Sequence, residues 1–147
     1  MILLPTDFKD FLRLLNEKAV EYLLVGGYAV GHHGYPRATG DMDIWIARSV
    51  PNSERLAAAL RAFGFSSGDI TVGVFLEADR VVRMGNPPLR IELLTSISGV
   101  EFEDCWLRRE IIIMDDLPIN VIDIDSLKAN KRASGRLKDM TDLEHLT

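Results

Sequence analysis

The chain lacks several features that would assign it to a specialised class. It has one cysteine, Cys105, so no intrachain disulfide can form and a reducing compartment is the expected environment. No stretch approaches the roughly 18 consecutive apolar residues of a membrane helix. The first residues, MILLPTDFKD, have neither the basic start nor the long apolar run of a signal peptide. We therefore expect a cytoplasmic protein without membrane association.

The chain also lacks an excess of positive charge. With 17 Lys+Arg against 22 Asp+Glu, the formal net charge is −5, which argues against coating of nucleic acid by bulk charge but leaves a local basic patch open. The length of 147 residues and the 47% hydrophobic and 27% charged fractions fit one globular domain, residues 1–147, with a sizeable core.

The clearest pattern is the segment YLLVGGYAVGHHGYPRATGDMDIWIA, residues 22–47. A short apolar strand ends at Gly26–Gly27, a short helix is expected over 28–33, and a second strand begins at Asp41. Glycines before a helix leave backbone N–H groups accessible to an anion such as phosphate. Asp41 and Asp43 are two residues apart in a strand and therefore project from one face. Carboxylates kept so close usually hold a cation.

The rest of the chain alternates helices and strands, which predicts an α+β domain with α/β-like order, a mixed twisted sheet and helices packed on it. Thr6 or Asp7 is expected to cap the first helix, and Asn52 the third. Asp123 or Asp125 is expected to begin the C-terminal helices, about 123–146. Residues 70–76 could form a strand. The other predicted elements are helices 6–18, 52–63 and 101–109, strands 81–84, 89–95, 110–114 and 118–122, and a turn at Asp115–Asp116.

Three further groups of polar residues each have two interpretations. Glu92 lies among apolar residues of a predicted strand and alone would face solvent, but beside the aspartate pair we assign it to the same site. His32 and His33 could bind a metal, yet adjacent helical residues point about 100° apart, so we interpret them as surface or loop histidines near a site. The basic C-terminal residues form either a solvated helix face or, as we favour, a cleft wall of Lys131, Arg136 and Lys138 that Asp139 or Asp142 orients. The cations of this segment are Lys128, Lys131, Arg132, Arg136 and Lys138.

The ordered set of Gly26–Gly27, Asp41-x-Asp43 and Glu92, with Arg37 and Thr39 between, resembles the nucleotidyltransferase superfamily with the DNA polymerase beta fold. The spacing is similar to that of the minimal nucleotidyltransferases and the abortive-infection type toxins of bacteria, and the final segment KANKRASGRLKDMTDLEHL fits as well. The resemblance covers about residues 20–146. Two departures are Gly27, where many members have serine, and Glu92, where the third carboxylate is often aspartate.

The resemblance implies transfer of a nucleoside monophosphate from a nucleoside triphosphate to a hydroxyl acceptor, which could be an RNA 3′ end, a protein or a small molecule. It implies that Asp41, Asp43 and Glu92 are catalytic and bind Mg²⁺ or Mn²⁺. A toxin role with an antitoxin partner is a further expectation. The residues expected to bind the nucleotide are Gly26, Gly27, Arg37, Thr39, Lys131, Arg136 and Lys138.

Two alternatives stay open from the sequence. A glycosyltransferase also uses D-x-D to hold a metal-bound nucleotide sugar, but that fold generally needs a longer chain. A catalytically inactive nucleotidyltransferase-fold domain could serve as a nucleotide-binding or interaction module. Arg37 likewise has two interpretations, a phosphate contact or an ion pair with Asp41.

Overall fold

The sheet and its helices account for most of the chain. The computed structural model describes residues 4–36, 40–65, 72–85 and 89–146. Within these ranges, no helix is long and apolar enough to span a membrane. The elements in chain order are α1 (Thr6–Glu17), β1 (Tyr22–Val25), α2 (Gly26–His32), β2 (Asp41–Ile46), α3 (Val50–Phe63), a 3-10 helix (Val72–Leu76), β3 (Val81–Met84), β4 (Arg90–Leu94), α4 (Phe102–Arg108), β5 (Glu110–Met114), β6 (Leu117–Val121), α5 (Ile124–Ser134) and α6 (Leu137–His145).

The six strands of the described chain form one mixed sheet in the order β3-β4-β2-β1-β6-β5. β2 pairs with β1 in antiparallel orientation and with β4 in parallel orientation. β6 joins β1 in parallel orientation, and the hairpins β3–β4 and β5–β6 form the two sides. The predicted α+β class with a mixed sheet is confirmed, and β2 and β4, which carry the three carboxylates, are neighbours.

The apolar stripe of α1 packs into the core. Its four large residues are at most 2% exposed, because the 3.6-residue period places them on one side of the helix. Aromatic edge contacts attach this face to α2 and α3, with ring centroids 5.9 Å apart for Phe8–Tyr28 and 5.1 Å for Phe11–Phe63. The stripe consists of Phe8, Phe11, Leu12 and Leu15.

Two predicted helix caps are wrong. Pro5 occupies the N-cap of α1 and no side chain caps that helix, so Thr6 and Asp7 lie inside it. α3 is capped by Ser49, whose hydroxyl accepts a hydrogen bond from the backbone N–H of Asn52. Serine and asparagine are about equally good caps, so cap preference alone does not distinguish Ser49 from Asn52. Asn52 is buried and its side chain bonds elsewhere.

Asn52 serves instead as a buried connector between strands and helix. It is 1% exposed. Its side-chain oxygen accepts from the N–H of Glu21 at 2.7 Å, and its amide donates to the carbonyls of Glu21 and Ala47 at 3.1 and 2.9 Å. Asn52 thereby fixes the start of β1 and the end of β2 against α3.

The remaining local predictions have mixed outcomes. The strand suggested at 70–76 is wrong for its described part, which is the 3-10 helix over 72–76. Of the two candidate caps for α5, Asp123 is confirmed, because its carboxylate accepts from the N–H of Ser126 at 3.2 Å. Asp115 and Asp116 form the β5–β6 turn with φ of 51° and 65°, the positive values that two-residue hairpin turns require.

Candidate active site

Three carboxylates lie on the two central parallel strands. Asp41 and Asp43 are on β2 and Glu92 is on β4, where Asp43 is directly opposite Glu92 in the register. Because side chains alternate across a strand, this register places all three on one face of the sheet. The backbone therefore brings together residues that are about fifty positions apart in sequence.

Asp43 has a strongly raised pKa. Desolvation by burial, a hydrogen bond with Glu92 and the charges of Glu92 and Asp41 raise its pKa from 3.8 to about 7, while the charge of Lys138 lowers it. Its Oδ1 atom is buried and has no hydrogen-bond partner among the residues that the structure describes. A buried carboxylate oxygen without a donor is costly, and a cation would remove that cost.

Gly26 leaves the space that Asp43 occupies. A Cβ at this position would lie 2.1 Å from Oδ2 of Asp43, and the backbone has φ +66°, a conformation that favours glycine. Gly26 also begins α2, whose N-terminus has no side-chain cap. Gly27 is buried in the same turn. Their predicted phosphate contacts stay a prediction.

Two arginines, one on β3 and one on β4, pair with Glu92 and Asp41. Arg90 donates to both oxygens of Asp41, at 3.2 Å each, and lies 3.6 Å from Glu92. Arg83 donates to Glu92 at 3.1 Å. The sequence prediction missed both residues, because Arg90 reaches the site through its pairing opposite Asp41 and Arg83 through its pairing opposite Glu92. Arg37 and Thr39 lie outside the described residues.

A cavity of about 340 Å³ opens beside Asp43. Gly26 and Asp43 form its sheet side, and residues of α5 with the following turn form the other, among them Lys131 and Arg136. Two larger cavities of about 440 and 370 Å³ border α4 instead and include none of the three carboxylates. The smaller cavity is therefore the one relevant to chemistry at Asp43.

The basic residues predicted to line the cleft differ in how exposed they are and in whether acidic side chains already bind them. Lys131 is buried, and its ammonium lies 3.0 Å from Asp139 and 3.1 Å from Asp142. Arg136 donates to Asp139 at 2.8 Å, but its side chain is 64% exposed. Its pKa is raised, first by the hydrogen bond with Asp139 and also by the charge of Asp43. Lys138 is exposed and its charge acts on Asp43.

Asp43 and Glu92, which contact each other, are carboxylates that could hold a hard divalent cation, whereas Asp41 is paired with Arg90. Mg²⁺ and Mn²⁺ prefer carboxylate oxygens, with water and substrate phosphates completing the shell. The unpartnered Oδ1 of Asp43 and the closeness of Asp43 to Glu92 both favour such an ion. The pairing of Asp41 with Arg90 means that one of these carboxylates would exchange a guanidinium for the ion.

No known protein-family profile matches the sequence, and no curated protein matches it. Solved structures do match the fold. A lincosamide antibiotic adenylyltransferase, LnuA, with lincomycin bound, is similar over 98% of this chain and 96% of its own, with a TM-score of 0.57 and 14% identity. The chain has the nucleotidyltransferase fold. An antigenic nucleotidyltransferase-like protein from Paracoccidioides brasiliensis is similar over 95% of this chain and 72% of its own, with a TM-score of 0.55 and 15% identity.

Proposed function

We propose that the protein is a metal-dependent nucleotidyltransferase that moves a nucleoside monophosphate from a nucleoside triphosphate to a hydroxyl acceptor. The observation that carries the proposal is Asp43, a buried carboxylate with an unpartnered oxygen beside Glu92, at the mouth of a cavity that Arg136 also lines. The nucleotidyltransferase fold supports the same reaction class.

The residues of the site have separable roles in this proposal. Asp41, Asp43 and Glu92 would hold the metal, which would supply charge neutralisation at the phosphates during transfer. In this proposal Glu92 would also accept the proton of the acceptor hydroxyl. Gly26 and Gly27 would offer backbone N–H groups to the triphosphate.

The cations on the α5–α6 side would complete the triphosphate site. Arg136 and Lys138 are exposed and act electrostatically on Asp43, so they can neutralise phosphate charge there. Lys131 is a positioning residue, since its buried ammonium joins Asp139 and Asp142 and thereby fixes α5 against α6. Arg37 and Thr39 remain predicted nucleotide contacts.

The most specific part of the proposal is the class of acceptor molecule. LnuA is described as acting on a lincosamide antibiotic, which supports a small-molecule hydroxyl as the first acceptor class to test. An RNA 3′ end and a protein hydroxyl are the other two. A toxin role with an antitoxin partner would follow only from transfer to RNA or protein.

One observation favours a second function, an inactive domain that binds nucleotide or a partner. Arg90 holds both oxygens of Asp41 and Arg83 contacts Glu92. If these ion pairs persist with nucleotide, two of the three carboxylates stay committed to arginine. Such a domain would bind a triphosphate without transferring its nucleotide.

Label transfer and binding separate the two functions. The purified chain is incubated with each α-³²P-labelled nucleoside triphosphate, Mg²⁺ or Mn²⁺, and RNA, protein or small-molecule hydroxyl pools. We expect labelled acceptor with the wild type and with the surface control Asp116→Asn, and none with Asp41→Asn or Glu92→Gln. Metal-dependent binding without transfer to any pool would establish the inactive module. Absence of nucleotide binding would refute both.

The roles of Arg136 and Lys138 are tested by salt dependence. The double alanine variant should bind the magnesium triphosphate more weakly at low ionic strength, and the deficit should shrink as salt screens the charges. Arg132→Ala removes an exposed cation from the same segment and serves as the control. Equal affinity of the double variant and this control would show that the pair is only surface.

A further inference from the structure

Two adjacent histidines and a glutamate form a second cluster, at the end of α2 opposite to Gly26. His32 is the last residue of α2, His33 is its C-cap and Glu110 begins β5. One ligand atom from each residue lies within 4.8 Å of the other two. The two imidazole rings meet edge to face, with centroids 4.8 Å apart. This cluster is separate from the three carboxylates of the candidate active site.

The spacing of the cluster is close to that of a tetrahedral zinc site. Zinc bonds of about 2 Å place neighbouring ligand atoms about 3.3 Å apart. Nε2 of His33 lies 3.4 Å from one oxygen of Glu110, and Nε2 of His32 lies 3.8 Å from the other. The expectation that adjacent histidines diverge did not allow for a carboxylate beside the helix end that both rings reach. The two distances to Glu110 exceed this zinc spacing by at most about half an ångström, and Glu110 is 46% exposed, so its side chain can rotate. The ligand atoms of the two histidines lie within 4.8 Å of each other, so binding also requires the imidazole rings to turn.

The chemistry of the donors favours zinc over magnesium. Two imidazoles with one carboxylate are the ligand set of many zinc sites that keep a water as fourth ligand, whereas Mg²⁺ prefers oxygen alone. In the metal-free protein, Nε2 of His33 is engaged by the carbonyl oxygen of Ile122 at 2.7 Å. Binding through that nitrogen requires the tautomer with its proton on Nδ1 and costs the hydrogen bond to Ile122. We therefore expect micromolar rather than nanomolar affinity.

We propose that His32, His33 and Glu110 form a zinc-binding site that joins the end of α2 to the first residue of β5. The site does not depend on nucleotidyl transfer. Its filling would stabilise the attachment of α2 to the edge strand, because the ion binds the folded chain, whereas in the unfolded chain Glu110 is far from the two adjacent histidines.

The test is zinc binding by the untagged full chain. The protein competes with a chromophoric chelator for Zn²⁺ in an excess of Mg²⁺. We expect one equivalent of zinc with the wild type, and binding at least about tenfold weaker in His32→Ala and in Glu110→Gln. His145→Ala changes the remaining histidine of the chain and should bind as the wild type does. Asp43→Asn should also retain the zinc, because it alters the other carboxylate cluster.

Two further measurements make the outcome decisive. Co²⁺ should give the visible absorption of a tetrahedral site in the wild type and lose it in His32→Ala. Zn²⁺ should raise the unfolding temperature of the wild type more than that of either ligand variant. The replaced side chains are partly exposed, so both variants should fold, which circular dichroism checks. The proposal would be overturned if His32→Ala and His145→Ala bound zinc with equal affinity. It would also be overturned if Asp43→Asn no longer bound one equivalent of zinc.

Discussion

Replacing Asp43 by asparagine should stabilise the metal-free protein at alkaline pH. The pKa of Asp43 is raised from 3.8 to about 7 by burial and by the neighbouring carboxylates Glu92 and Asp41. The folded protein thus retains a proton between these two pH values that the unfolded chain releases. Stability is greatest when the carboxyl is protonated and falls as pH rises toward 7, since the unfolded state binds fewer protons in that window.

The size of the effect follows from the pKa shift. One pKa unit corresponds to about 1.36 kcal/mol, so a shift from 3.8 to about 7 means a loss of at most about 4 kcal/mol in the wild type above the folded pKa. Asparagine keeps the shape of the side chain without the charge. The variant should therefore equal the wild type near the unfolded pKa and exceed it increasingly as the pH rises.

Urea denaturation followed by tryptophan fluorescence measures the difference. Trp45 is buried two residues along the same strand and should report the transition. Free energies of unfolding are compared across this pH window in a chelator, with Asp116→Asn as the control because that residue is exposed in a turn. Added Mg²⁺ should then stabilise the wild type at alkaline pH but not Asp43→Asn. A variant less stable than the wild type in the chelator, or a difference independent of pH, would refute the reasoning.

Two further substitutions test the packing around the site. Gly26→Ala should lose nucleotide transfer and at least about 1 kcal/mol of stability, because its Cβ collides with Asp43, whereas Gly135→Ala has the same φ of +66° without a collision; equal losses measured by urea denaturation would contradict the collision. Lys131→Met should cost about 3–5 kcal/mol, because it removes the buried cation that Asp139 and Asp142 share. Lys128→Met on the same helix should cost far less, and comparable unfolding midpoints for the two variants would contradict that assignment.

The sequence predicted most elements and the order of the carboxylates, because periodicity and glycine positions are local signals. It could not predict that Ser49 rather than Asn52 caps α3, since that choice depends on which side chain is buried. It also missed Arg83 and Arg90, which meet the carboxylates only through the register of β3, β4 and β2. The sequence did not predict the histidine cluster for a related reason, because its third member, Glu110, lies on a strand that is distant in sequence.

The interpretation of the C-terminal cations from sequence was limited in the same way, because their burial depends on contacts in the folded chain. Their sequence pattern indicated a basic wall oriented by Asp139 or Asp142, but not that Lys131 would be buried and paired with both. Burial raises the pKa of Asp139, but hydrogen bonds from Arg136, Ser134 and Lys131 outweigh it and hold the pKa well below its usual value. A helix face that looks solvated in sequence is thus partly an internal ion cluster.

The parallel pairing of β2 with β4 also affects how the chain assembles. Asp41 and Arg90 are separated by 49 residues, so this contact forms only after a long loop has closed, and such non-local pairing slows folding. The β3–β4 hairpin brings two arginines and one glutamate to the two aspartates of β2, which makes its approach attractive rather than repulsive. Added salt should weaken that attraction, and the refolding rate should fall with ionic strength.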